Sequence, residues 1–196
     1  MEREKRDFYF VAAALALTLA AGGYVAYRNR TPSPQRVEAH IKTWFEAPRS
    51  LVRVMTERYG PPSQLSPDAV TWFERGPWKR IVIRGDAPDS FLEQTVAYWV
   101  PPEAGASLRE FAHGIQFDYA AEELSARSSE EAMNFLALNL ADEIASGRRD
   151  VAEARRFYTR TAELSLAGKS SPFMEKLRFG PDRPMPREVW RRGIEY

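Results

Sequence analysis

The chain has 196 residues, nearly balanced charge (28 Lys and Arg against 27 Asp and Glu) and no cysteine. That length gives one domain plus accessory segments, and the charge balance argues against a nucleic-acid binder that needs a broad basic field. The missing thiols exclude disulfides, zinc–thiolate sites, iron–sulfur ligation and thiol catalysis, and two histidines, His40 and His113, leave little for a His-based metal site.

From the N-terminus, charged MEREKRD (1–7) precedes FYFVAAALALTLAAGGYVAY, Phe8–Tyr27, a stretch with no charged residue. About 20 apolar residues cross the ~30 Å hydrocarbon layer, so the pattern predicts a single transmembrane helix. Phe8, Tyr9 and Phe10 at one end and Tyr24 and Tyr27 at the other suit the two interfaces. Ala20-Ala21-Gly22 offers small residues to a signal peptidase, but the stretch exceeds the roughly 7–15-residue core of a cleaved signal. Ala12, Ala16, Ala20 and Gly23 share one face of this helix. Small residues at such spacing let a second helix approach closely, so they are the expected helix-packing face. Arg3, Lys5 and Arg6 before the span balance Arg28, Arg30 and Arg36 after it, so the positive-inside count does not orient the chain. The excess of Arg over Lys, 23 to 5, fits a high-GC bacterial genome. The expected location is therefore the bacterial inner membrane, single-pass, with the domain periplasmic as is common for an N-terminal anchor.

Residues 28–36 contain NRTPSPQR, with two prolines and no apolar side chain, and read as a stiff linker. The extramembrane domain is expected over 37–168. Val37, Ile41, Trp44 and Phe45, then Leu51, Val52, Met55 and Tyr59, fall at helical spacing and predict two short amphipathic helices, the second stopped by Gly60-Pro61-Pro62. The period then changes. AVTWFERGPWKRIVIRG predicts two strands around a Gly76-Pro77 turn, EQTVAYWVP a third, GASLREFAHG a short helix or turn, and IQFDYAAEELSARS a fourth, bulged strand. Ser128 or Ser129 is expected to cap a helix running through Ile144 to Gly147, with Glu130 and Glu131 favourable in its first turn. Asp150 is expected to cap a second helix to about Ala167. Residues 169–196, rich in Pro and Arg, read as an extended tail. Helices segregated from short-linked strands give an α+β fold, a small antiparallel sheet packed with helices and closed by a C-terminal helical hairpin.

The first hairpin helix is apolar nearly all round, through Met133, Phe135, Leu136, Leu138, Leu140 and Ile144, and so is expected to be buried between sheet and partner helix. Asn134 and Asn139 would then bond backbone or loop groups, because a buried amide left unpaired costs about 1–3 kcal/mol. Adjacent carboxylates such as Glu130-Glu131 and Asp142-Glu143 point apart, which suits capping and solvation better than an acid–base couple. Arg148, Arg149, Arg155 and Arg156 read as solvated charges. The segments RYGPP, GPWKR, YWVPP and SARSSEEAMNFLALNLA, in this order, resemble an uncharacterised bacterial domain family over about residues 51–160. Members carry a cysteine and an acid where this chain has Ser128-Ser129, and the resemblance implies one domain and no known activity.

Trp78, Lys79 and Arg80 in GPWKR, and Phe173, Phe179, Trp190, Arg191 and Arg192 in the tail, are the expected partner-binding residues, pairing aromatic and basic side chains. The turn itself offers a plainer reading, with Gly76-Pro77 making the reversal and Trp78 folding over the sheet edge. The chain carries no GxSxG, HExxH, Walker, GxGxxG or CxxCH pattern. The expectation is a non-enzymatic accessory or scaffolding subunit of a membrane complex such as a respiratory or photosynthetic one. Its partners would be transmembrane helices, extramembrane surfaces and the lipid bilayer, with no cofactor, metal or nucleic acid. The alternative is a membrane-tethered ligand-binding domain or hydrolase.

Overall fold

A computed structural model describes residues 31–180. The expected span Phe8–Tyr27, its face of Ala12, Ala16, Ala20 and Gly23, and Trp190, Arg191 and Arg192 lie outside the described residues. Among the described residues, no helix is long and apolar enough to cross a membrane.

The architecture is α+β. Two helices come first, α1 (Pro34–Ile41) and α2 (Glu46–Tyr59), followed by strands β1 (Gln64–Ser66), β2 (Ala69–Arg75), β3 (Trp78–Arg84) and β4 (Leu92–Ala97). A short 3-10 turn, Pro102–Ala104, leads into α3 (Gly105–Phe111); β5 (Ile115–Asp118), β6 (Glu123–Ser128), α4 (Glu131–Ala145), α5 (Val151–Leu166) and α6 (Pro172–Glu175) complete the chain. The six strands form one antiparallel sheet in the order β1-β2-β3-β4-β6-β5.

Alternation along the strands makes the inner face. Val70 and Trp72 pair across to Ile83 and Ile81, these to Leu92 and Gln94, and Leu124 and Ala126 continue the row on β6. All are buried, and α4 closes over them. As its pattern predicts, α4 is buried on nearly every side: Phe135, Leu136, Leu138, Leu140 and Ile144 join the core, and so do Asn134, Asn139 and Asp142. The outer face carries Phe73, Arg80, Glu93, Thr95, Glu123 and Arg127 instead. There Lys79 and Arg80 both pair with Glu123, at 2.9 and 3.1 Å.

Several boundaries differ from those read in the sequence. Helix α1 begins at Pro34, within the residues read as linker, because Ser33 caps it by accepting from the Arg36 N–H and Pro34 sits where a missing N–H costs nothing. The fourth strand is a hairpin, β5–β6. Asp118 turns the chain by accepting the N–H groups of Ala120 and Ala121, and Glu122 takes a left-handed φ of 51°. Ser128 ends β6 and Glu130, with no side-chain cap bond, occupies the N-cap of α4. Asp150 does cap α5, accepting from the Glu153 N–H at 2.7 Å.

The largest difference is at the tail. Residues 169–180 are docked: Ser171 caps α6, Met174 is buried, and Asn139 of α4 binds three backbone groups there. Its amide donates to the carbonyls of Phe173 and Lys176 at 2.9 and 2.8 Å and its oxygen accepts from the Arg178 N–H at 2.7 Å. Asn139 thus uses its full amide on backbone, the role its buried position requires.

Candidate functional site

The described residues gather their buried polarity around Glu131, in the first turn of α4, which is only 6 % exposed. Three other elements supply its four partners. From α2, Arg58 makes an ion pair and the Tyr59 hydroxyl donates at 2.7 Å. From β3, the Trp78 indole N–H donates at 3.0 Å and also lies 3.1 Å from the Tyr59 oxygen. From β4, the Gln94 amide donates at 2.6 Å. The Arg58 side chain is 55 % exposed, so it brings its charge from the solvent edge while Trp78 and Gln94 close the interior. A carboxylate can be kept in such a place because both of its oxygens meet donors, Tyr59, Trp78 and Gln94 on Oε1 and Arg58 on Oε2. Burial, and next the hydrogen bond to Glu131, push the Tyr59 phenol up to about 12, so it stays protonated and donating. Glu131 in turn holds the Arg58 guanidinium above its ordinary value.

The polar chain continues inward. The Gln94 oxygen accepts from the Asn134 amide at 3.0 Å, and the Asn134 oxygen accepts from the Ser128 hydroxyl at 2.7 Å. Glu131, Gln94, Asn134 and Ser128 therefore form one hydrogen-bonded string under the start of α4, linking two surface depressions. One is a groove of ≈ 400 Å³ between α2 and α4, walled by Leu51, Val54, Met55 and Phe135 and edged by Arg58 and Glu131. The other is a cleft of ≈ 420 Å³ on the far side, where Ser128 meets His113 and Arg127.

The expected partner-binding residues fall differently from their sequence reading. Trp78 is 1 % exposed, stacked on Phe135 at 5.1 Å, and belongs to the core and the Glu131 node. Strict alternation would turn it outward with Arg80; the left-handed residues Glu74 and Gly76 at the turn (φ 51° and 56°) accompany its rotation inward. Lys79 and Arg80 remain partly exposed and paired to Glu123. Burial acts to raise the Glu123 pKa, but these two cations outweigh it and the net shift is downward. Phe173 packs on Phe157 at 5.0 Å under the Arg178 guanidinium, and Phe179 packs edge-on to Tyr98 at 5.3 Å, so both aromatics hold the tail to its own domain. Trp78 is therefore buried, while Phe173 and Phe179 are packed against the domain and remain partly exposed.

Two other assignments change. Glu131 is a buried acceptor rather than a solvated first-turn charge, and Asp142, 2 % exposed, binds the Tyr98 hydroxyl at 2.8 Å and forms an ion pair with Arg148. Arg148 is thus tied to the core, and Arg149 pairs with Glu143 at 2.6 Å while lying over the Phe157 ring. Arg155 reaches the Glu110 carbonyl. Among the described residues, the large apolar side chains left exposed are Phe45, Val54, Phe73, Tyr119, Leu164 and, at 92 % exposed, Leu166. Among the described residues no group of three or more His, Asp or Glu is placed to hold a metal ion.

No family model matches the chain, and no curated protein or solved structure matches it either.

Proposed function

We propose that the chain is a non-enzymatic, single-pass protein of the bacterial inner membrane whose domain supports a larger membrane complex by contact. The observation that carries this reading is the uncharged segment Phe8–Tyr27 with its small-residue face of Ala12, Ala16, Ala20 and Gly23. The domain supports it in a second way. Its buried carboxylates Glu131 and Asp142 are engaged by neighbouring side chains, so their polarity serves to hold elements in register. Partner surface then falls to Lys79 and Arg80 on the sheet, to the exposed apolar side chains, and to Trp190, Arg191 and Arg192 beyond the described residues.

Carbonate extraction of membranes tests the anchor: the full chain is expected in the pellet, and release to the supernatant would remove this reading. Ala16→Leu with Ala20→Leu makes the segment more apolar while crowding the proposed packing face. The double variant is expected to stay in the membrane fraction and lose co-purifying proteins, and Leu15→Ala with Leu19→Ala to lose far fewer. Retention of every partner by the double Leu variant would reduce the span to a plain anchor. The chain has no cysteine, so a single Ser170→Cys labelled by a membrane-impermeant maleimide reports the side of the membrane; the periplasmic assignment expects labelling in intact cells.

A further inference from the structure

The cleft on the far side of the polar string is built differently from the rest of the surface. Its floor is the turn between α3 and β5, where three successive residues adopt left-handed backbone: Ala112 at φ 61°, His113 at 44° and Gly114 at 75°. Such conformations are strained for a residue with a side chain, yet only the third is glycine. At Gly114 the requirement is absolute, because a Cβ would lie 2.1 Å from the Arg127 carbonyl oxygen. The turn is thereby pressed onto β6, with the Arg127 N–H donating to the Gly114 carbonyl at 3.0 Å. The result is an imidazole held at a fixed place beside Arg127.

The His113 ring stacks on Tyr158 of α5, centroids 3.9 Å apart. Burial, and next the nearby Arg155 guanidinium, lower its pKa, so the ring is neutral at pH 7 and offers one donor and one acceptor. Arg127 spends its Nε–H on the Ser90 carbonyl at 2.7 Å, which orients the guanidinium and leaves its Nη donors without another partner among the described residues. Ser129 and Gln116 add neutral donors, Met133 and Tyr158 an apolar wall, and no Asp or Glu lines the cleft. The Arg155 charge that adds to this lowering also favours an incoming anion, and Glu93, the cross-strand neighbour of Arg127, lies 4.0 Å from Arg80 and does not line the cleft. At ≈ 420 Å³ the space exceeds a bare oxyanion and admits a small group attached to it.

We infer that this cleft binds the phosphate group of a small phosphate ester, with Arg127 as the charged anchor, Ser129, Gln116 and His113 as hydrogen-bonding groups, and the esterified portion against Met133 and Tyr158. Planar bidentate donation is the reason for assigning the anchor to an arginine. The phosphate could reach the cleft on a soluble ester or on a lipid headgroup, and the two sources are separable by experiment.

The chain has two histidines, so selective ¹⁵N-histidine labelling of the full protein in nanodiscs gives two sets of imidazole signals, assigned by a His40→Gln variant. Titration with inorganic phosphate and with glycerol 3-phosphate, at matched ionic strength, is expected to move the His113 signals saturably and leave those of His40 in place. Glycerol 3-phosphate is expected to saturate at lower concentration. Arg127→Gln should weaken the midpoint about tenfold or more, the loss of one charge-assisted contact; Arg127→Lys should recover part of it, and Arg75→Gln on the distant β2–β3 turn should change nothing. Movement only when phosphatidylglycerol replaces phosphatidylcholine in the disc assigns the headgroup as the source. Absence of saturable movement with both solutes and with phosphatidylglycerol, or an unchanged midpoint in both Arg127 variants, overturns the inference.

Discussion

Replacing Glu131 by alanine is the most informative single change in the domain, because it removes the common acceptor of α2, β3 and β4. The loss can be counted from the contacts. Gln94 is fully buried and its amide loses a carboxylate at 2.6 Å, and a buried donor left without a partner costs about 1–3 kcal/mol. Trp78 keeps the Tyr59 oxygen at 3.1 Å, so its indole N–H is weakened rather than orphaned. Tyr59 and Trp78 together lose bonds to a charged acceptor, worth roughly 1.5–3 kcal/mol each when fully buried and less for the half-buried phenol. The Arg58 pair adds at most about 1 kcal/mol, since that guanidinium is largely in water and salt screens it. The low ends of these ranges already sum to about 4 kcal/mol, or roughly 8–16 °C in Tm for a domain of this size. Glu131→Gln keeps an acceptor for Trp78 and Gln94 and should cost only about 1 kcal/mol. Urea unfolding of residues 31–180 followed by tryptophan fluorescence reads both, with the midpoint lowered at constant m-value. Equal destabilisation by Ala and Gln would refute the count, because charge alone would then matter; a silent Glu131→Ala would refute the node itself.

The docked tail yields a second prediction: residues 31–180 should unfold cooperatively, Asn139→Ala should lower stability by about 2–3 kcal/mol through three lost backbone bonds, and truncation at 168 should cost more, because it also removes buried Met174 and the packing of Phe173 and Phe179. If the two losses add in a double variant, the clamp is not what joins them. Arg148→Ala should cost roughly 1–2 kcal/mol in urea unfolding, because it strips the pair from buried Asp142, while Arg155→Ala stays under about 0.5 kcal/mol. Tyr59 gives a pH dependence: its folded pKa of about 12 lies above the ordinary 10.0, so the unfolded chain releases the proton first and stability present below pH 10 is lost as pH rises toward 12. Tyr59→Phe should flatten that alkaline loss, and an unchanged slope would place its origin elsewhere.

Much of the frame was legible because periodicity reports burial directly. The all-round apolar pattern of α4 predicted its central place, Asp150 announced the start of α5, and Asn139 meets the backbone partners expected of a buried amide, whereas Asn134 reaches the Leu92 carbonyl only at 3.4 Å and makes its shorter bonds to the side chains of Gln94 and Ser128. What escaped depends on residues far apart in sequence. An acidic residue in a helix's first turn looks the same whether it meets water or, as Glu131 does, donors from three other elements. Trp78 follows two turn residues whose backbone twists it inward, which alternation does not encode. Pro and Arg composition hid the docked segment 169–180, although a fully buried Asn139 with no local partner was a usable signal that some backbone must come to it. The cleft beside His113 was invisible for a similar reason: its walls come from the turn after α3, β6 and α5.

The Glu131 node also bears on time rather than on stability alone. Its partners lie 73, 72, 53 and 37 residues away along the chain. The node is complete only when α2, β3, β4 and α4 have all been brought together, and an isolated carboxylate gains nothing from dry surroundings before its donors arrive. Local helices and the β2–β3 hairpin can form earlier at far smaller loop-closure cost. Interactions missing from the folding transition state act almost entirely on the unfolding rate. The node is then a late-closing latch: it hardly affects how fast the domain forms, and it lengthens the interval before the domain next opens.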